Sequence, residues 1–500
     1  MLFNSTIFLF GFLPVSLLLF FVLGRVSILA ARIWLAAASL FFYAWWNPPY
    51  LILLALSIVF NFGAGWLLQC PEQRIVPLRP RLVLFLGLAF NIGFLGYFKY
   101  SDFLIANFDA LTGADFALSH TALPLAISFF TFQKIAYLVD SYVGKVKEKS
   151  FINYVLFAAF FPQLIAGPIV HYSEMFPQFR KSETYRFQWL NFTDGMSLFL
   201  LGLAKKVVLA DEFARYSDAV FNNAGAGAAI SLVPAWVGAL SYTLQLYFDF
   251  SGYSDMAIGL ARMFNIELPL NFWSPYKSAS IIEFWRRWHM TLSRFLRDYV
   301  YIPLGGNRHG EPARYRNLFL TMLIGGIWHG AGWTYVLWGA LHGTALAANH
   351  LWANHSEKRM AGKSLPRSRL VLGHALTILV VVCGWVIFRS TSLAAAGQVF
   401  KGMLGGSGAY LPDQLLAVAP PLRHLFAGLG QVPYLGDSTV MGTFEVFAML
   451  MLGGGIVFFC PNLYQMERRT RLVLVAASFA FCLQKVVFAG GMSPFLYFQF

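Results

Sequence analysis

Residues Leu370–Phe388 read LVLGHALTILVVVCGWVIF, a run without one Asp, Glu, Lys or Arg, and Arg367 and Arg369 stand just ahead of it. A helix rises ~1.5 Å per residue, so ~20 apolar residues cross a hydrocarbon core ~30 Å thick. Basic residues flanking such a run stay on the cytoplasmic side, so this span starts inside and leaves outward. The loop 390–440 that follows is rich in Gly and Pro and nearly free of basic charge, as an outer loop should be. Phe444–Cys460 then returns, Arg468, Arg469 and Arg471 hold the next turn inside, and Leu472–Phe488 runs outward again. On this reading the C-terminus lies outside.

The pattern extends upstream. Further apolar runs are Ile7–Leu23, Leu35–Trp46, Leu51–Leu68, Leu82–Tyr97, Leu123–Val139, Met196–Ala210, Val233–Phe250, Leu318–Trp328 and Tyr335–Leu351. Hydrophobic residues make up 58% of the chain against 12% charged, and mean hydropathy is +0.60, which demands lipid as solvent for much of the surface. The fold class expected is an all-α integral membrane protein with roughly 10–12 transmembrane helices, plus re-entrant and amphipathic cytoplasmic helices. Ile7–Leu23 has no basic residues before it and no small-residue cleavage site after it, and reads as a retained span. The net charge of +14 raises the question of nucleic acid, but the basic residues cluster between apolar runs, which is how membrane proteins are oriented. No cysteine pair has metal-ligand spacing.

Two stretches depart from simple crossing. Phe151–Val170 has Lys145, Lys147 and Lys149 before it and Arg180, Lys181 and Arg186 after it, with Gly167-Pro168 breaking its far end. Basic residues on both sides predict a segment that dips in and returns to the same face. Arg262–Arg316 mixes arginines with Trp273, Phe284, Trp285, Trp288, Phe295 and Tyr299, the composition of an amphipathic cytoplasmic layer against lipid. The chain divides on this reading into N-terminal helices 1–120, a core 121–351, and C-terminal helices 352–500 within one polytopic domain.

Ionisable and polar residues at membrane depth are costly, so they mark candidate sites. His329 lies in Gly325-Gly326-Ile327-Trp328-His329-Gly330-Ala331-Gly332-Trp333, where glycines clear space around an imidazole able to act as a general base. A buried histidine bonded to a helix carbonyl would leave the same trace. His289 lies in Glu283-Phe284-Trp285-Arg286-Arg287-Trp288-His289, and helical spacing puts it on one face with Trp285 and Arg286. Arginine forks suit phosphate oxygens, so Arg286, Arg287, Arg294 and Arg297 are candidates for a nucleotide-containing donor; an interfacial helix binding lipid headgroups accounts for them equally well. His171 and His342 lie near possible cavities without a clear role. Gln245, Asp249, Ser254, Asp255, Asn271 and Trp328 read as a cavity lining or a polar network.

At these residues the sequence resembles the membrane-bound O-acyltransferase family, in its bacterial branch serving alginate and related polysaccharide O-acetylation. The resemblance rests on Ser128-Phe129-Phe130-Thr131-Phe132-Gln133 through Asp140, Phe160-Phe161-Pro162-Gln163 through Pro168, Tyr247-Phe248-Asp249-Phe250-Ser251-Gly252-Tyr253-Ser254-Asp255, Asn271-Phe272-Trp273-Ser274-Pro275-Tyr276, Phe284 through His289, Tyr301 through Arg308, and Trp328-His329-Gly330. It implies a core with a transmembrane tunnel, His329 as catalytic histidine and His289 as the second functional one. It implies no bound cofactor, with acetyl-CoA as cytoplasmic acyl donor. It further implies the bacterial inner membrane, a periplasmic esterase-like (SGNH) transferase partner, and a polysaccharide such as alginate as final acceptor. Peptidoglycan, cellulose or a D-alanyl relay to teichoic acid are alternatives within the family, and a non-enzymatic transporter with a histidine in its path is the alternative outside it. The tail Ser493-Pro494-Phe495-Leu496-Tyr497-Phe498-Gln499-Phe500 resembles the family's aromatic C-terminal motif, which makes the Tyr497 hydroxyl a candidate acyl relay; an interfacial aromatic anchor has the same composition.

Overall fold

A computed structural model describes residues 1–69, 79–118, 123–147, 149–360, 366–409, 444–488 and 494–496. Among them every regular element is a helix. Among the described residues five helices are long and apolar enough to cross a bilayer: Phe8–Val26, Pro48–Gln69, Pro80–Thr112, Arg367–Arg389 and Arg468–Val487. Ile28–Ala44 and Glu445–Phe459 are apolar but shorter. Leu232–Met263, Gly310–His329 and Trp333–Met360 hold 32, 20 and 28 residues, so their length suffices; their polar side chains set them apart from the apolar spans. Polar side chains lower a helix's mean hydropathy without shortening it, so a hydropathy measure undercounts such helices.

The chain packs as two compact units. One comprises Met1–Ala204, Gly252–Asn271 and Glu467–Phe500; the other comprises Lys205–Ser251 and Phe272–Met466. Both take their residues from distant parts of the chain.

In the first unit, Ser27 is extended (φ −155°) and its hydroxyl accepts from Ala30 N–H at 3.3 Å, which ends the Leu13–Val26 helix and caps Ile28–Ala44. Phe151–Val170 does not form one helix. Phe151–Ala159 stops at Phe160, whose ψ of 110° is non-helical, and Phe161–Leu164 adds one turn before Gly167-Pro168. Asn153 onward to Val170 is buried, so this broken piece sits in the unit's interior, where irregular backbone is tolerated. The Trp189–Ala204 helix meets the Gly252–Met263 stretch at backbone distance: a Cβ on Gly195 would lie 2.5 Å from the Gly259 carbonyl oxygen, and one on Gly202 would lie 2.6 Å from that of Gly252. Small residues permit such crossings, which gain dispersion where lipid offers no hydrophobic drive. Asp194 forms an ion pair with Arg262, Nε lying 2.9 Å away, and also pairs with Arg471, fastening the Arg468–Phe488 helix to Trp189–Ala204. At the tail, Phe495 is buried with its ring 4.5 Å from Tyr253, which also stacks on Phe3 at 5.0 Å. Tyr497 lies outside the described residues, as do 410–443 of the expected outer loop.

In the second unit, Gly310–His329 and Trp333–Met360 form a hairpin pressed together along glycines. A Cβ on Gly326 would lie 2.4 Å from the Tyr335 carbonyl oxygen, and one on Gly339 would lie 2.6 Å from that of Met322. Of the glycines around the candidate base, Gly326 therefore serves to pack helix on helix. His329 is the last helical residue before the three-residue turn.

Candidate active site

The surroundings of His329 are aromatic. Its ring lies 4.8 Å from Trp328, 5.0 Å from Trp338 and 5.2 Å from Phe388, measured between centroids. The side chain is 5% exposed. Gly330 is required beside it, because a Cβ there would fall 2.1 Å from the Tyr335 ring. Tyr335 in turn packs on Phe388 at 5.0 Å.

His289 is reached differently from the sequence expectation. The Ile281–Arg287 helix ends at Arg287, Trp288 is extended (φ −101°, ψ 128°), and His289 is left-handed (φ 44°, ψ 53°) as it caps Met290–Leu296. It therefore does not share a helical face with Trp285 and Arg286: Arg286 is exposed, and His289 is fully buried. The periodicity argument failed because the left-handed region costs a non-glycine residue only ~1–2 kcal/mol, an amount that local packing supplies without leaving a glycine in the sequence. The break turns the imidazole inward, 4.7 Å from the Phe250 ring and 6.5 Å from Trp328. One indole thus stands beside both histidines. In the expected amphipathic layer Phe284, Trp285, Trp288 and Phe295 are buried, while Trp273 and Tyr299 are half-buried; Trp288 packs against Phe272 at 5.0 Å and Trp385 at 4.9 Å.

The arginines divide. Arg287 pairs with Glu283 at 2.5 Å and Arg297 with Asp298 at 2.7 Å, which offsets their charge; Arg286 is exposed and Arg294 half-buried. Of the polar residues expected to line a cavity, Gln245, Asp249 and Trp328 belong to this unit and are buried. Asp249 is committed to Lys206 Nζ at 2.6 Å, and the same ammonium reaches Asp211 at 2.9 Å. A buried ion pair of this kind holds structure, and leaving either partner alone would be costly. Lys206 and Asp211 were not singled out from sequence, although a lysine inside the apolar run Met196–Ala210 was a signal that a buried acid had to exist. Ser254, Asp255 and Asn271 are buried in the first unit, where Asn271 Nδ2 donates to Ser254 Oγ at 3.2 Å. His171, also in the first unit, places Nδ1 3.7 Å from Asp140.

The family profile for the membrane-bound O-acyltransferases matches residues 115–389, more than half of the chain and including both histidines. The chain belongs to the membrane-bound O-acyltransferase family. It is a multi-pass membrane enzyme that transfers acyl groups to oxygen. A peptidoglycan O-acetyltransferase of Helicobacter pylori is 42% identical over an alignment covering 100% of this chain and 98% of that one. A probable alginate O-acetylase of Pseudomonas syringae is 43% identical over 81% of this chain and 75% of its own. A teichoic acid D-alanyltransferase of Streptococcus thermophilus is 30% identical over 53% and 68%. The O-acyltransferase profile ends at Arg389, so the aromatic tail falls beyond it.

Proposed function

We propose that this O-acyltransferase takes an acetyl group from cytoplasmic acetyl-CoA and relays it across a bacterial inner membrane, for O-acetylation of a cell-surface polysaccharide. The observation that carries the reading is the pairing of His329 and His289 about Trp328 inside an aromatic enclosure. In the transfer step, a neutral His329 takes the proton of an acceptor hydroxyl, and the oxygen attacks the thioester carbonyl. The C–O bond forms as the C–S bond breaks, and the departing thiolate of CoA takes the proton back from the imidazolium. The donor phosphates are assigned first to Arg286, which is exposed, with Arg294 beside it and Arg287 and Arg297 contributing if Glu283 and Asp298 are displaced. Arg367 and Arg369 before one span and Arg468 before another support a periplasmic C-terminus, where Tyr497 would receive the acetyl group and pass it to an esterase-like partner.

The test follows the label from radioactive acetyl-CoA with purified protein. Wild type should release CoA and transfer acetate, His329→Ala should do neither while inserting normally, and a His329→Ala protein at wild-type rate would remove the mechanism. Tyr497→Phe keeps the aromatic anchor and deletes the acceptor oxygen; unchanged envelope acetylation in that variant returns the hydroxyl to an external partner.

A second acceptor is supported by one observation. The peptidoglycan-acetylating relative matches this chain end to end, whereas the alginate O-acetylase relative matches 81% of it. Peptidoglycan is therefore the first acceptor to test beside alginate. Deleting the gene and measuring alkali-released acetate separately in purified cell wall and in secreted polymer decides between them.

A further inference from the structure

The second unit holds another buried histidine that the transfer step above does not use. His342 has no exposed surface. Trp285 Nε1 donates to its Nδ1 at 3.4 Å, with the two rings edge to face at 5.2 Å. An accepting Nδ1 places the hydrogen of the neutral ring on Nε2. On its other side His342 packs 4.8 Å from Trp338, which itself stands 5.7 Å from Trp285 and 5.0 Å from His329. His342 Nε2 and Trp338 Nε1 both face the bare backbone of Gly384: a methyl group there would lie 2.7 Å from the first and 3.5 Å from the second. Neither nitrogen has an acceptor among the described residues. A buried donor without an acceptor costs free energy, so these rings are fixed by one another and by Gly384, and a core chosen for stability alone would hold phenylalanine here.

We infer that His342 is a positioning residue for acyl transfer, tying Trp285, at the root of the exposed Arg286, to Trp338, which walls the ring of His329. The inference rests on His329 being the base. Loss of the imidazole lets Trp338 tilt, so the base is misaimed, while the exposed side chain of Arg286 still reaches the donor.

Purified full-length protein turning over acetyl-CoA tests this. His342→Phe keeps an aromatic ring and loses the acceptor; it should lower kcat at least about tenfold with KM for acetyl-CoA within about twofold. His342→Gln restores an acceptor for Trp285 and should recover at least about threefold over the Phe variant. Gly384→Ala keeps the histidine but displaces it, and should fall in kcat alone; it carries the test if His342→Phe is not monodisperse in detergent. His342→Phe combined with Trp338→Phe should be no worse than the weaker single variant, since both act along one path. Wild-type kcat per folded His342→Phe protein, a loss confined to KM, or no gain from Gln overturns the inference. Alkali-released envelope acetate at matched protein level reads the same ranking whichever thioester is the donor. Should His329→Ala remain active, the reading of the base fails; should it be inactive while His342→Phe is normal, only this inference falls.

Discussion

The two histidines of the proposed site are held by opposite devices. His329 ends a regular 20-residue helix that is zipped to its neighbour by glycines, and its place follows from the register of that hairpin. His289 sits at a break between two seven-residue helices, in a backbone conformation that few side chains adopt, and its place follows from the aromatic packing around it. The first is precise because the helices are regular; the second is precise because an irregular turn is over-determined by its neighbours. Two residues proposed to serve one reaction thus depend on quite different parts of the fold.

The largest effect should come from the imidazoles themselves. His329→Ala should cost at least about 10³-fold in kcat, as expected for loss of a general base, and His289→Ala less, about 10–10²-fold. Radiolabelled transfer measures both, and equal losses would erase the proposed division of labour. Next comes Gly330→Ala, whose Cβ would meet the Tyr335 ring. Overpacking of this kind costs ~1–3 kcal/mol, and here it should displace the hairpin end, lowering activity more than thermal stability. A variant that loses only stability would mean that the turn does not aim His329. At the His289 break, Ala and Asn both remove the imidazole, but Asn tolerates the left-handed region better; His289→Asn should be the more stable, by up to ~1 kcal/mol on thermal melting in detergent. The reverse order would show that the strained turn is not what His289 has to satisfy. Smallest is charge reversal at Arg286, which should raise the apparent KM for acetyl-CoA a few-fold, with the effect shrinking as salt rises.

What sequence could tell follows the same division. The membrane class was legible because lipid demands long apolar runs, and the Gly-rich turn around His329 was legible because glycine is visible as a letter. The break at Trp288-His289 was not, since neither residue signals a positive φ. The partner of Asp249 and the contact between Trp285 and His342 were also out of reach. They depend on pairings 43 and 57 positions apart, Lys206 with Asp249 and Trp285 with His342, which periodicity within a segment never sees. The relay expectation for Tyr497 stands on resemblance alone, though its neighbour Phe495 is anchored on Tyr253.

The clamp at Asp194 has a consequence for how the protein is made. Its carboxylate is bound by Arg262 and by Arg471, and Arg471 follows it by 277 positions. At ~5–20 residues per second a ribosome needs roughly 15–55 s to deliver the second arginine. Until then the first unit lacks its last helix, and Asp194 has only one of its two cations. An arrest or truncation before Arg468 therefore leaves a half-paired acid for the quality-control proteases of the membrane. The amount of full-length enzyme should depend on how well the nascent chain is protected over that interval.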